Sequence, residues 1–196
     1  MKLHHLSGPL TDSERNHLLF QGDLVVFRQI PAMLELCSRM DKIIRHHLKH
    51  PIPPKASHQM NQEQFQRRIE RLQAAFKSRS EFRQLCTQAI QQTGTKIDRT
   101  FADTLFLRTV PPQACSNKVN IKVINNRHRG TIAHHRDTWG SNIQSQINWW
   151  SPIYRLTEQR GIGFYPHYWD KAVANTTATW SFQEFQNSRN RTPPGQ

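Results

Sequence analysis

The segment "HHRDTWGSNIQSQINWW", residues 134–150, sets His135 and Asp137 two positions apart. A run of small turn-type residues precedes it, and it ends in a polar–apolar alternation. On an extended chain, residues two apart project to the same face. An imidazole nitrogen and a carboxylate oxygen placed in this way can share one metal ion. With a second histidine from elsewhere they form the facial triad that holds iron(II) and leaves coordination positions open. Taken alone, His-x-Asp is a pattern that chance produces often. The next stretch, "SQINWWSPIY", adds to it. Gln146, Asn148 and Trp150 fall on one face of an expected strand, and Ile147 and Trp149 on the other. Two amide side chains turned into a barrel are costly unless they bond something, and a bound polar acid would supply partners. A solvent-facing amide row with a tryptophan packed behind it is the plain structural alternative.

Working outward, the two halves of the chain differ. "GDLVVFRQI", residues 22–30, is a β-branched and aromatic run after a Gly–Asp turn and predicts an early strand. "PAMLELCSRMDKIIRHHLKH" predicts an amphipathic helix, with Pro31 in its first turn and Leu34, Cys37, Ile44 and Leu48 near helical spacing. Pro51, Pro53 and Pro54 end it. Residues 61–94 predict a helix with a Phe65, Ile69, Leu72 and Phe76 stripe. After a break at Ser78–Ser80 comes a second helix carrying Phe82, Leu85 and Ile90, with Gly94 as its stop. His46, His47 and His50 read as flexible basic surface rather than as a metal cluster.

Strand patterns take over from residue 98. "DRTFADTLFLRTVP" reads as turn then strand, and "NKVNIKVINNRHRG" alternates Val119, Ile121 and Val123 with polar neighbours. "SQINWWSPIYRL" and "GIGFYPHYWDKAV" are further strands, the last turning at Pro166. Helices first and strands later predict an α+β domain spanning 1–196. Its helical half covers 1–97, a sheet portion 98–185 and a disordered tail 186–196.

Composition bounds the function. Lys and Arg number 27 against 14 acidic residues, a formal charge of +13 that favours polyanionic partners. The basic residues are dispersed, so an ordinary solvated surface explains them about as well as a nucleic-acid interface does. Cys37, Cys86 and Cys115 are odd in number and widely spaced, which excludes a disulfide framework or zinc ribbon and fits a reducing cytoplasm. No apolar run is long enough to span a membrane, and the N-terminus lacks the apolar core of a secretory signal.

"HRDTW" (135–139), "QINWW" (146–150) and "FYPHYWDKAVANT" (164–176) together resemble the iron(II)/2-oxoglutarate-dependent oxygenases of the phytanoyl-CoA dioxygenase-like type. "GDLVVFRQIPA" looks like that family's opening strand and helix. The resemblance implies a partial double-stranded β-helix (jelly roll) with N-terminal helices packed against it. It implies that His135 and Asp137 are iron(II) ligands. It also implies oxidative decarboxylation of 2-oxoglutarate, coupled to O₂-dependent hydroxylation of a small organic substrate, and Gln146 and Asn148 are candidates for lining the 2-oxoglutarate site.

The family's second histidine lies on a late strand, followed by a basic residue whose planar fork grips the distal carboxylate of the co-substrate. Here His167 is the one histidine after Asp137, earlier than the family places it, and Arg189 and Arg191 follow no histidine at family spacing. Three readings stay open: a piece of a longer protein, a degenerate or split member, or His167 as an unorthodox third ligand. The competing functions are a basic nucleic-acid-binding module, using the Arg-rich helices with Trp149, Trp150 and Trp169 as stacking platforms, and a non-catalytic jelly-roll interaction domain.

Overall fold

Each of the three long helices in the first half starts and stops for a local reason. The computed structural model describes residues 1–102, 105–109, 135–141, 143–158 and 161–174. Helix α2 (Pro31–Leu48) begins with Pro31, whose missing N–H is one the helix leaves unbonded in any case. Its core face is Ala32, Leu36, Met40, Ile44 and Leu48, a row at intervals of four. The expected stripe through Leu34 and Cys37 is corrected by this: Leu34 is 59% exposed, and Cys37 is half-buried. The inward row includes Ala32, which hydrophobic spacing weighs lightly, and Met40, and together they rotate the buried face away from Leu34.

Lys49 ends α2 in the left-handed conformation (φ 50°, ψ 45°), its N–H donating to the Arg45 carbonyl at 2.8 Å. This reversal carries His50 inward, where it is 7% exposed and its Nδ1 accepts from the Ile52 N–H at 2.9 Å. The expectation of flexible surface at His50 is therefore corrected: the ring is buried and fixed by the backbone turn that follows the helix. The prolines then shape a 3-10 turn, Pro53–Gln59.

Helix α3 (Gln62–Ser78) opens with a reciprocal cap. The Gln64 N–H donates to Asn61 Oδ1 at 2.9 Å, and the Asn61 N–H donates to Gln64 Oε1 at 3.4 Å. Its buried residues are Ile69, Leu72 and Phe76, with Phe65 partly covered. Arg79 breaks the helix, and α4 (Ser80–Gln92) buries Phe82, Leu85 and Ala89. Phe76 and Phe82 stack across the break, with ring centroids 5.4 Å apart and planes 21° from parallel. Gly94 follows at φ +94°.

The strand expected over 22–30 is present at its centre and belongs to a larger N-terminal unit. Strand β1 (Leu3–Leu6), helix α1 (Asp12–Phe20) and strand β2 (Leu24–Phe27) form a β–α–β element, with the strands parallel from Leu3 opposite Leu24 to Leu6 opposite Phe27. Asp23 ties its start: its carboxylate accepts the Lys2 N–H at 2.6 Å and meets His4 Nε2 at 2.8 Å. Those bonds, His4 first, hold the Asp23 carboxyl below its usual range. Arg15 on α1 is 4% exposed and joins Asp12 at 2.6 Å and the Thr95 hydroxyl at 2.8 Å, which anchors α1 to the chain just past α4.

β1 and β2 are the strands among the described residues. The segments expected as strands at 145–156 and 161–173, and the described part of the one within 98–111, carry no sheet pairing there, and a strand is defined by the neighbour it bonds. The expected strand at 119–123 lies outside the described residues, as do Cys115 and the expected tail. The described chain is thus a mixture of helix and strand. Two compact units divide it, one made of Met1–Gly130 with Pro152–Pro166, the other of Thr131–Ser151 with His167–Gln196. In the first unit, Leu105, Leu107, Ile153 and Tyr154 pack against the helical core. The Tyr154 hydroxyl donates to Asp41 Oδ1 at 2.9 Å, and Arg45 Nε donates to Asp41 Oδ2 at 2.6 Å. Arg45, more than Tyr154, holds the Asp41 carboxyl below its usual range, while burial pushes the Tyr154 hydroxyl up.

His47, half-buried on α2, gives a pH dependence. Burial first, then the nearby positive charges of His46, Arg71 and Arg79, lower its pKa from the ordinary 6.5. Below pH 6.5 the unfolded chain takes up this proton before the folded chain does. The neutral ring's contribution to stability is therefore present above that pH and is lost as the pH falls through the folded value. In urea unfolding followed between pH 7.5 and 5, the midpoint is expected to fall less steeply for His47→Gln than for the parent. Parallel profiles would contradict it.

Candidate metal centre

In the second unit, His135 and Asp137 lie just ahead of a four-residue helix, α5 (Thr138–Ser141). The Trp139 N–H donates to the Arg136 carbonyl at 3.0 Å, and the Ser141 N–H donates to the Asp137 carbonyl at 3.3 Å. The tight turn brings the two side chains together, with His135 Nε2 standing 3.0 Å from Asp137 Oδ1. The side chains are 36% and 54% exposed, so the pair faces outward.

The rest of the arrangement is a chain of amides. Asn148 Nδ2–H donates to the other oxygen of Asp137, Oδ2. Gln146 Nε2–H donates to Asn148 Oδ1 at 2.7 Å. Gln146 and Asn148, two residues apart, therefore lie side by side. Four of the five residues singled out from sequence form one connected set.

The fifth, His167, does not join them. It sits in a 3-10 turn, Pro166–Tyr168. Its Nε2 lies 2.7 Å from Lys171 Nζ, and its ring stands edge-on to Tyr168 with centroids 5.2 Å apart. Among the described residues, no three His, Cys, Asp or Glu side chains are grouped to hold a metal ion. Arg189, Arg191 and His134 lie outside the described residues.

Arg136 is the residue that sequence reasoning missed. Its guanidinium donates to the main-chain carbonyls of both Tyr168 and Lys171, tying the His167 turn to the His-x-Asp segment. Nothing in the spacing announced this, because its partners are backbone groups more than thirty residues on.

Two ligands each about 2.0–2.2 Å from one ion and at right angles stand about 3 Å apart. The His135–Asp137 separation of 3.0 Å fits two adjacent positions around a metal. The same separation serves an ordinary hydrogen bond in the metal-free chain. Asn148 on Asp137 Oδ2 is the kind of outer partner that fixes a ligating carboxylate. The residues present thus fit two places of a facial set.

Other candidate chemistry is weaker. Cys86, beside the helical core, has its thiol pushed up to about 11 by burial and by Cys37, which makes it a poor nucleophile at neutral pH. Three arginines of this region bond within the chain: Arg67 with Glu63 and Arg68 with the Leu48 carbonyl on α3, and Arg79, between the helices, with Glu81 at 3.3 Å. The three tryptophans expected as stacking platforms, Trp149, Trp150 and Trp169, are exposed.

No protein-family model matches the chain, and no curated protein or solved structure matches it.

Proposed function

We propose that this chain carries the His-x-Asp part of an iron(II)- and 2-oxoglutarate-dependent oxygenase centre, on a jelly-roll portion of the phytanoyl-CoA dioxygenase-like type. His135 Nε2 and Asp137 Oδ1 hold the metal, and O₂ and a small organic substrate are the other reactants. What supports the reading is the convergence of those two atoms to 3.0 Å. When bound, iron(II) with 2-oxoglutarate and O₂ supplies an oxidant able to hydroxylate an unactivated C–H bond. The chain's own part is narrower. His135 presents a ring nitrogen, Asp137 presents a carboxylate oxygen, and their outward position leaves room for reactants to approach. His167 serves as a third ligand only by giving up its contact with Lys171. The reading places the protein in a reducing cytoplasm; among the described residues, no helix is long and apolar enough to cross a membrane.

Two protein ligands hold an ion loosely, because a facial set needs three. Anaerobic titration with iron(II) and 2-oxoglutarate is expected to give weak binding that His135→Ala and Asp137→Ala each abolish, and a separate assay in air is expected to yield little succinate. Binding indifferent to both substitutions would sink the reading. Tight binding lost in His167→Ala would instead make His167 the third ligand.

A further inference from the structure

We infer that Asn148, oriented by Gln146, is a positioning residue that holds the Asp137 carboxylate so that a single oxygen faces His135. The inference rests on the metal reading above and assigns these amides a different task from holding 2-oxoglutarate. A carboxylate has two oxygens and can offer either one or both to a cation. Offering both fills an extra coordination position, whereas the oxygenase type of centre depends on positions left open. Here the choice is made by the neighbour. Asn148 Nδ2–H occupies Oδ2, and Oδ1 is the oxygen turned to His135, at 3.0 Å.

The polarity of the chain is self-consistent. A carboxylate only accepts, so the Asn148 end facing it must be the NH₂ end. That leaves Asn148 Oδ1 pointing the other way, where Gln146 Nε2–H meets it at 2.7 Å. Reversing either amide would set acceptor against acceptor or donor against donor. All three side chains are exposed, so water competes for each bond and the effect on folding is small. What the bonds decide is which way the carboxylate faces.

The test uses the full chain and cobalt(II) as the metal probe. Asn148→Leu keeps the branched shape and removes the donor. It is expected to weaken cobalt(II) binding by about 10–100-fold, the usual cost of losing an outer partner of a ligand. It should also change the cobalt absorption bands, because the second carboxylate oxygen is released. Gln146→Leu, one step further out, should give a smaller loss. Affinity for 2-oxoglutarate at saturating cobalt should be unchanged, with circular dichroism confirming the fold. Intact cobalt binding with lost 2-oxoglutarate binding would overturn the inference in favour of a co-substrate contact. A second measurement needs no metal: the Asn148 side-chain amide resonance is expected to move in Asp137→Ala. A parent that takes up no cobalt sinks the metal reading and this inference with it. An Asn148 signal unmoved by Asp137→Ala, in a parent that does take up cobalt, overturns the inference alone.

Discussion

Phe82→Ala is expected to destabilise the helical unit by about 3–5 kcal/mol, the range for emptying a fully buried aromatic site. Phe82 is 0% exposed and, with Met40, Ile69 and Leu72, is among the largest fully enclosed side chains. Its ring stacks on Phe76, so truncation removes an aromatic pair as well as apolar burial. The Arg79 guanidinium stands 5.9 Å over the same ring and would lose that face too. The partners come from separate helices, so the site cannot collapse without moving a helix as a whole. Urea unfolding followed by circular dichroism gives the value. A loss under about 1 kcal/mol, the size of an ordinary surface change, would mean that the α3–α4 junction is not the centre of the core.

Gly94→Ala is expected to cost about 2 kcal/mol or more, and to act at the N-terminus rather than at the helix it ends. Gly94 has φ +94°, a conformation that a Cβ disfavours. A Cβ built there would lie 2.1 Å from the Leu10 carbonyl oxygen, and these are backbone atoms that no rotamer change can clear. Relief requires the two segments to part. Parting breaks the Leu10 N–H to Thr93 carbonyl bond, 2.9 Å long, and strains the Arg15–Thr95 contact close by. Limited proteolysis should then cut the first thirty residues of the variant before the helices. A variant as resistant as the parent would show that the contact gives way without consequence.

Much of the helical half was readable because its signals are local. Prolines and Gly94 mark the ends, and the Ile69, Leu72 and Phe76 row lies at plain helical spacing. Of the N-terminal element, β2 was read, within the strand expected over 22–30; α1 was not, although one signal for it was present: Thr11–Asp12–Ser13–Glu14 is a capping-box pattern. In the fold the Glu14 N–H donates to Thr11 Oγ1 at 3.2 Å, and the Thr11 N–H donates to the Glu14 carboxylate at 2.9 Å. β1 had no such signal. "LHHL" is four residues, two of them histidine, and only its partner β2 makes it a strand. His50 was misread because burial there follows from the left-handed turn at Lys49, which the residue types do not announce. At the candidate site, the two-residue spacing pointed to both pairs, Gln146 with Asn148 and His135 with Asp137, but the second pair meets through the turn ahead of α5 and not along an extended strand. Their partners across the turn, and Arg136's two carbonyls, depend on distant chain that no local pattern encodes.

The joint between α1 and the end of α4 also bears on the order of assembly. Arg15 and Thr95 are 80 residues apart in sequence, so their contact closes a long loop whose entropy cost must be met before the contact repays it. The contacts of α2 with α3 and of α3 with α4 span shorter separations, while α2 meets α4 across as many as 60 residues, from Ala32 to Gln92. The β–α–β element is therefore expected to dock late, onto helices already in place. It is also expected to lift away first, its amide protons exchanging with solvent through partial openings that leave those of the helical core protected.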